Sequence, residues 1–242
     1  MHLQPPRAIS LLMAAGVVLL LGLAIIAVVS GRYAVTPSEI LASLRRGLAR
    51  RESPTMSDAV LWQIRLPRIA LACLVGAGLG AAGAAFQHLF RNPLVSPDTL
   101  GVSSGAALGA VLAIFAGAGA AIAAFAAFGG GLLTVALVTA LATRIRAHDR
   151  VLTLVLIGVV IASLGGAAIS LVKFAADPYN QLPAITFWLM GSFAASTWQQ
   201  VAIVAPAILI TIALLAALAW RINLLALPED EAQALGVHAS RL

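Results

Sequence analysis

Residues Trp62 to Gly105 read WQIRLPRIALACLVGAGLGAAGAAFQHLFRNPLVSPDTLGVSSG, and this stretch decides the fold. A basic segment is followed by an uncharged, apolar run from Ile69 to Phe86. The polar turn RNPLVSPD at 91–98 comes after this run. A helix of about 20 apolar residues crosses a bilayer. The stretch therefore predicts one membrane span, a tight turn and the start of a second span.

Small residues recur within the first of these spans, at Gly76, Gly80 and Gly83. In lipid, small residues at this spacing let helix backbones approach closely. The pattern therefore predicts a helix face that another helix can approach.

The composition of the chain is that of a membrane protein. Of its 242 residues, 61% are hydrophobic and only 10% are charged, whereas soluble domains carry about 25% charged residues. The single cysteine, Cys73, excludes an intramolecular disulfide and is interpreted as a small buried hydrophobe. The net charge of +6 comes from basic residues scattered over loops, which favours membrane-flanking and protein-docking roles over nucleic-acid binding.

Apolar segments along the chain predict an all-α, polytopic transmembrane bundle with about six spanning helices. The first segment is longer than the apolar core of a signal peptide, about 7–15 residues, so we interpret it as an uncleaved span. An even number of spans places both ends of the chain on one side. The predicted spans are 8–30, 69–86, 99–119, 120–143, 151–173 and 198–220.

Two polar segments flank these spans. In the segment 31–67, Thr36 and Glu39 form a capping-box pattern that predicts an amphipathic helix to Leu48. The tail 221–242 carries a proline and acidic residues at 228–231, which favour the start of a helix. Basic residues are nearly equal in number on the two sides, so the positive-inside rule does not set the orientation.

The segments WQIRLPR, LVGAGLGAAGAAFQHLFRNPL and LGVSSGAALG, in this order, resemble the FecCD family. Its members are the membrane permeases of ABC importers for iron-siderophores, haem and cobalamin. The resemblance implies cytoplasmic termini in a bacterial plasma (inner) membrane, an extracytoplasmic segment at 31–67 and a cytoplasmic coupling segment at 221–242. Family members have ten spanning helices, so we expect residues 1–242 to be one permease domain that is incomplete at its C-terminus.

The resemblance also implies the function and the partners. We expect a homodimeric permease that works by alternating access with two copies of an ABC ATPase and one substrate-binding protein, periplasmic or a lipoprotein. The expected cargo is an iron-siderophore complex, then haem or cobalamin. The chain itself is expected to be no enzyme, since a P-loop requires GxxxxGK[ST] and the single lysine, Lys173, precedes Phe174.

The resemblance assigns site residues on both faces of the membrane. Arg65 and Arg68 would hold carboxylates of the binding protein, because a guanidinium binds a carboxylate with two hydrogen bonds; the alternative is that they anchor the helix start at the interface. The ATPase-coupling candidates are Leu224, Leu227, Glu229, Glu231, Ala232, Leu235 and Gly236. The pathway candidates are Gln87, Asn92, Ser103, Ser104 and Thr153, each of which could equally form a helix–helix hydrogen bond. The resemblance places a cytoplasmic gate at the start of the fifth span, at Val151, Leu152 and Thr153.

Acidic residues are missing from the predicted spans, and the four histidines are scattered without partners at ligand spacing. We therefore expect no metal site and no cofactor. Ionisable groups in the bilayer mark ion and proton pathways, so the pattern counts against an ion-coupled secondary transporter. That class stays open as an alternative, as does a truncated membrane subunit that does not transport.

Overall fold

The computed structural model describes residues 7–31, 33–49, 55–93, 95–145 and 150–225. The secondary structure of these parts of the chain consists of helices joined by short connections, in keeping with the all-α class predicted from the sequence. The helices are α1 (Arg7–Val29), α2 (Pro37–Ala49), α3 (Met56–Ala59), α4 (Leu66–Leu89), α5 (Val102–Phe115), α6 (Ala120–Arg144), α7 (Arg150–Ala175), α8 (Gln181–Met190) and α9 (Trp198–Leu225). A π-helical turn, Val60–Arg65, joins α3 to α4, and a 3₁₀ turn, Pro97–Leu100, precedes α5.

Five helical stretches in the described part of the chain are long and apolar enough to cross a bilayer. They are Ala8–Val29, Met56–Leu89, Ala120–Arg144, Val151–Ala175 and Trp198–Asn223. These five correspond to the first, second, fourth, fifth and sixth predicted spans. The second is much longer than predicted, because α3 and the π turn continue into α4 without a break.

The predicted third span, 99–119, is shorter than expected. Its helix, α5, has 14 residues, or about 21 Å at 1.5 Å per residue, against about 30 Å of hydrocarbon. Gly101 delays its start with a left-handed φ of 73°. Gly117, with φ 77°, ends it, and the amide of Ala118 donates to the carbonyl of Ala113 across that end. This is the glycine-terminated helix end that a hydropathy count cannot detect.

The described residues form two compact units, each of which takes parts of α4 and α9. The first unit comprises Met1–Ala77 and Phe193–Ile210, and the second comprises Gly78–Ser192 and Thr211–Leu242.

In the first unit, two capping boxes start the polar helices. The Thr36 amide donates to Glu39 Oε2 (2.8 Å), and the Glu39 amide donates to Thr36 Oγ1 (3.3 Å). The predicted capping box and amphipathic helix are therefore confirmed. Thr55 and Asp58 repeat the arrangement at the start of α3, with the Thr55 amide 2.7 Å from Asp58 Oδ2.

In the second unit, α5 and α6 approach each other through glycines. A Cβ placed on Gly105 would lie 2.7 Å from the carbonyl oxygen of Gly130, so only a residue without a side chain fits there. Two apolar clusters complete this unit. One is built on Phe90, Val95, Leu100 and Val138, and the other on Val111, Ala176 and Ile185.

Within the described chain no other helix packs closely against Gly76, Gly80 and Gly83, so the face that another helix can approach stays a prediction. No described heavy atom lies within 4 Å of a Cβ built at any of the three. The close approach instead involves Gly105 and Gly130. Small-residue spacing shows where backbones can approach, but the partner helix decides where they do.

Candidate functional site

The first unit holds both arginines that the sequence singled out, and it places them in different surroundings. Arg65 is buried, with only 7% of its surface exposed. Its Nη1 donates to the carbonyl oxygens of Val28 and of Val29 (3.0 Å), and its Nη2 donates to the carbonyl of Tyr33. Arg65 therefore caps the C-terminal end of α1 and fixes the turn that follows.

This position is electrostatically favourable for a cation. The last carbonyls of a helix lack intrahelical donors, and together they carry a partial negative charge. The planar guanidinium suits such a cluster, since it presents several donors in a fixed geometry. Arg65 thus has the geometry of a structural cap, and its predicted role in docking stays a prediction.

Arg68 is exposed and lies one turn further along, in α4. Its Nη2 donates to the carbonyl of Ala194, in the segment that precedes α9. Among the residues that the structure describes, no carboxylate forms an ion pair with this guanidinium. Arg68 therefore offers an unneutralised positive charge at the surface of the first unit.

Both arginines line one open cleft of about 370 Å³ in this unit. Its walls come from the end of α1, the turn after it, the π turn and the start of α4. The lining residues are Ala27, Ser30, Gly31, Tyr33, Val60, Ile64, Arg65, Arg68 and Ile69. The cleft is therefore lined mainly by apolar residues, and of its two arginines Arg68 is the exposed one.

Two tryptophans that were not predicted as site residues form hydrogen bonds in this region. Trp198 Nε1 donates to the carbonyl oxygen of Trp62 at 2.6 Å, and Trp62 Nε1 donates weakly to the carbonyl of Ser43 at 3.4 Å. Proline at position 67, inside a helix, was the available signal, because its missing amide leaves one carbonyl of the preceding turn without a donor.

The second unit holds the pathway and gate candidates. Gln87, Asn92, Val151 and Leu152 are exposed, and Thr153 is half-buried. The exposed Ser103 donates to Asp98 Oδ1, whereas Ser104 is half-buried beside Gly165 of α7. These positions do not identify a shared pathway wall, so the pathway assignment stays a prediction.

The ATPase-coupling candidates cannot be located in this structure. Leu224 belongs to α9, but its side chain lies outside the description. The other six, Leu227, Glu229, Glu231, Ala232, Leu235 and Gly236, lie outside the described residues, as does the predicted helix start at 228–231. Within the described ranges, no group of three or more His, Cys, Asp or Glu side chains could hold a metal ion.

The five long apolar helices and the all-α architecture define a polytopic membrane protein, and comparison with known proteins gives its family. The chain matches the FecCD transport family over residues 18–242. A solved structure of a metal-chelate type ABC transporter in an inward-facing conformation superposes with a TM-score of 0.79 at 37% sequence identity. That match covers 95% of this chain and 69% of the solved one.

Curated relatives agree with this match. The molybdate import system permease MolB of Haemophilus influenzae is 40% identical over 90% of this chain. The Fe(3+)-citrate import system permease YfmE of Bacillus subtilis is 34% identical over 93%, and the vitamin B12 import system permease BtuC of Klebsiella pneumoniae is 32% identical over 98%. This chain therefore belongs to the FecCD transport family. It spans 65% of the length of MolB and of YfmE, and 67% of that of BtuC.

Proposed function

We propose that this chain is the transmembrane permease subunit of an ATP-driven importer, and that it forms the translocation pathway by alternating access. The observation that carries the proposal is the family match over residues 18–242. ATP hydrolysis takes place on two copies of a separate ATPase subunit, and a second copy of the permease completes the complex.

A substrate-binding protein docks on the first unit through Arg68. Its exposed guanidinium, unopposed by a described carboxylate, supports this role, because complementary charges orient protein encounters and raise their rate. Arg65 stabilises the same region by capping the C-terminal end of α1. The segment 31–67 is then extracytoplasmic.

The remaining topology follows from that orientation. The N-terminus and the coupling segment 221–242 lie in the cytoplasm of a bacterium, and the chain crosses its inner membrane. Leu224, Leu227, Glu229, Glu231, Ala232, Leu235 and Gly236 contact the ATPase. Residues 1–242 belong to a single permease domain.

The cargo is an iron-siderophore complex, with haem and cobalamin as the next candidates. Among the relatives, two are named for Fe(3+)-citrate and for vitamin B12, and the solved structure is of a metal-chelate type transporter. A third relative is named for molybdate, so this oxyanion belongs in the same assay.

The test is uptake by proteoliposomes that contain the native permease complex, with the binding protein outside and ATP inside. Radiolabelled ferric siderophore, cobalamin and molybdate are compared in parallel. We expect ATP-dependent uptake of the ferric complex that resists an uncoupler. Uptake that an uncoupler abolishes would establish an ion-coupled transporter instead, and a complex that binds its partners without any flux would establish a non-transporting subunit.

A further inference from the structure

Pro67 leaves one carbonyl of the π turn without a donor from its own helix. The amide of Leu66 donates to the carbonyl of Leu61, five residues back. In the same register, the next carbonyl, that of Trp62, would take its proton from residue 67. Proline has no amide proton, so the carbonyl of Trp62 must find its donor elsewhere.

Trp198 provides such a donor. Its indole Nε1 lies 2.6 Å from the oxygen of Trp62, within hydrogen-bonding distance. The indole N–H can only donate, and Trp62 is half-buried, so loss of this donor removes one hydrogen bond from the carbonyl. The side chain at the start of α9 thus takes the place of the missing backbone amide.

The wide turn itself follows from the same proline. In an α-helix, the ring of Pro67 would press against the carbonyl of Gln63, four residues back. A π turn inserts an extra residue and relieves that contact, and π turns of this kind are common at functional sites. The turn Val60–Arg65 directly precedes the helix start that carries Arg68.

We propose that Trp198 is a positioning residue: its indole supplies the proton that Pro67 lacks, holds the turn Val60–Arg65 in the π register, and thereby sets the directions of Arg65 and Arg68. Return of this turn to the α register would rotate the residues on one side of it by about 100° relative to those on the other. Arg68 would then leave the carbonyl of Ala194. The docking consequence rests on the proposed function, whereas the hydrogen-bond assignment does not.

A double-mutant cycle tests the assignment without any partner protein. The variants are Trp198→Phe, which keeps a ring but removes the donor, Pro67→Ala, which restores the amide at 67, and their combination. Each is made in the full chain in lipid nanodiscs, and its unfolding equilibrium is measured. Trp220→Phe is the control, since Trp220 is 69% exposed in the same helix and donates no hydrogen bond among the described contacts.

We expect Trp198→Phe to shift the unfolding equilibrium about five-fold toward the unfolded state, the size of one lost hydrogen bond. In the Pro67→Ala background the same substitution should shift it less than about two-fold, because the restored amide can serve the Trp62 carbonyl. An equal shift in both backgrounds, or a Trp198→Phe effect no larger than that of Trp220→Phe, would overturn the proposal.

Binding-protein affinity separates this inference from the proposed function. If Arg68→Glu weakens docking, Trp198→Phe should weaken it too, by about three-fold or more. If Arg68→Glu lowers the affinity for the binding protein and Trp198→Phe leaves it unchanged, the positioning role is contradicted. The two substitutions could instead be coupled in the unfolding cycle while Arg68→Glu leaves the affinity for the binding protein unchanged. That result would support the hydrogen-bond assignment and count against the proposed function.

Discussion

Arg65 donates a hydrogen bond to the carbonyl oxygen of Val29, with Nη1 and the oxygen 3.0 Å apart, across 36 positions of sequence. The same guanidinium also serves the carbonyls of Val28 and Tyr33. One side chain therefore ends α1 and shapes the turn that leads toward α2. The cap joins the first apolar helix to the segment that carries the proposed docking residue.

Replacing Arg65 with lysine should lower the free energy of unfolding by about 1–3 kcal/mol, because a single ammonium cannot reach the three carbonyls in the fixed geometry of a guanidinium. Denaturant unfolding in nanodiscs measures the loss. Arg45→Lys is the matched control, since Arg45 is an exposed arginine of the same unit. Equal losses in the two variants would show that the carbonyl contacts contribute nothing specific.

Replacing Gly105 with alanine should destabilise the second unit by about 2–3 kcal/mol, because the new methyl group would lie 2.7 Å from the Gly130 oxygen and force α5 away from α6. Gly166→Ala is the control. A Cβ there meets no described atom within 4 Å, so helix propensity should make that change neutral or stabilising by up to about 1 kcal/mol. Denaturant unfolding in nanodiscs measures both variants, and equal unfolding midpoints for Gly105→Ala and Gly166→Ala would refute the close packing.

Glu39 should make the protection of α2 depend on pH. Hydrogen bonds from the Thr36 amide and then from the Thr36 hydroxyl hold the pKa of Glu39 below its ordinary value. A carboxyl whose pKa is lowered in the folded state stabilises that state above the ordinary glutamate pKa. This contribution is lost as the pH falls through the lowered pKa.

Amide hydrogen exchange across α2 checks this dependence, with Glu39→Gln as the comparison because it keeps an acceptor oxygen but not the charge. At neutral pH the native chain should be the better protected of the two. The difference should shrink as the solution is acidified through the range where Glu39 takes up a proton. A difference that stays constant over that range would disprove the role of the carboxylate.

Features set by neighbouring residues could be predicted from the sequence. The capping box of Thr36 and Glu39 needs only residues three positions apart, and the pattern predicted the start of α2 correctly. Long apolar runs likewise predicted the five long helices. The length of α5 was overestimated because Gly101 and Gly117 are apolar in composition, yet their left-handed conformations end the helix.

Features that depend on distant partners could not be predicted. Arg65 and Arg68 are three positions apart and received one role from their motif. Their surroundings differ because the partner of one is the end of α1 and that of the other is Ala194. The donor that serves the Trp62 carbonyl is 136 positions away, a distance at which no local pattern carries information.

The affinity of the native complex for its binding protein, measured against salt concentration with the native chain and with Arg68→Glu, tests the central claim most directly. We predict that the reversal weakens docking about ten-fold or more at low salt and much less at high salt, because exposed charges are screened. Arg45→Glu, with the same charge change elsewhere on the first unit, should have a smaller effect. Equal affinity of the native and Arg68→Glu complexes at low salt would contradict docking through Arg68.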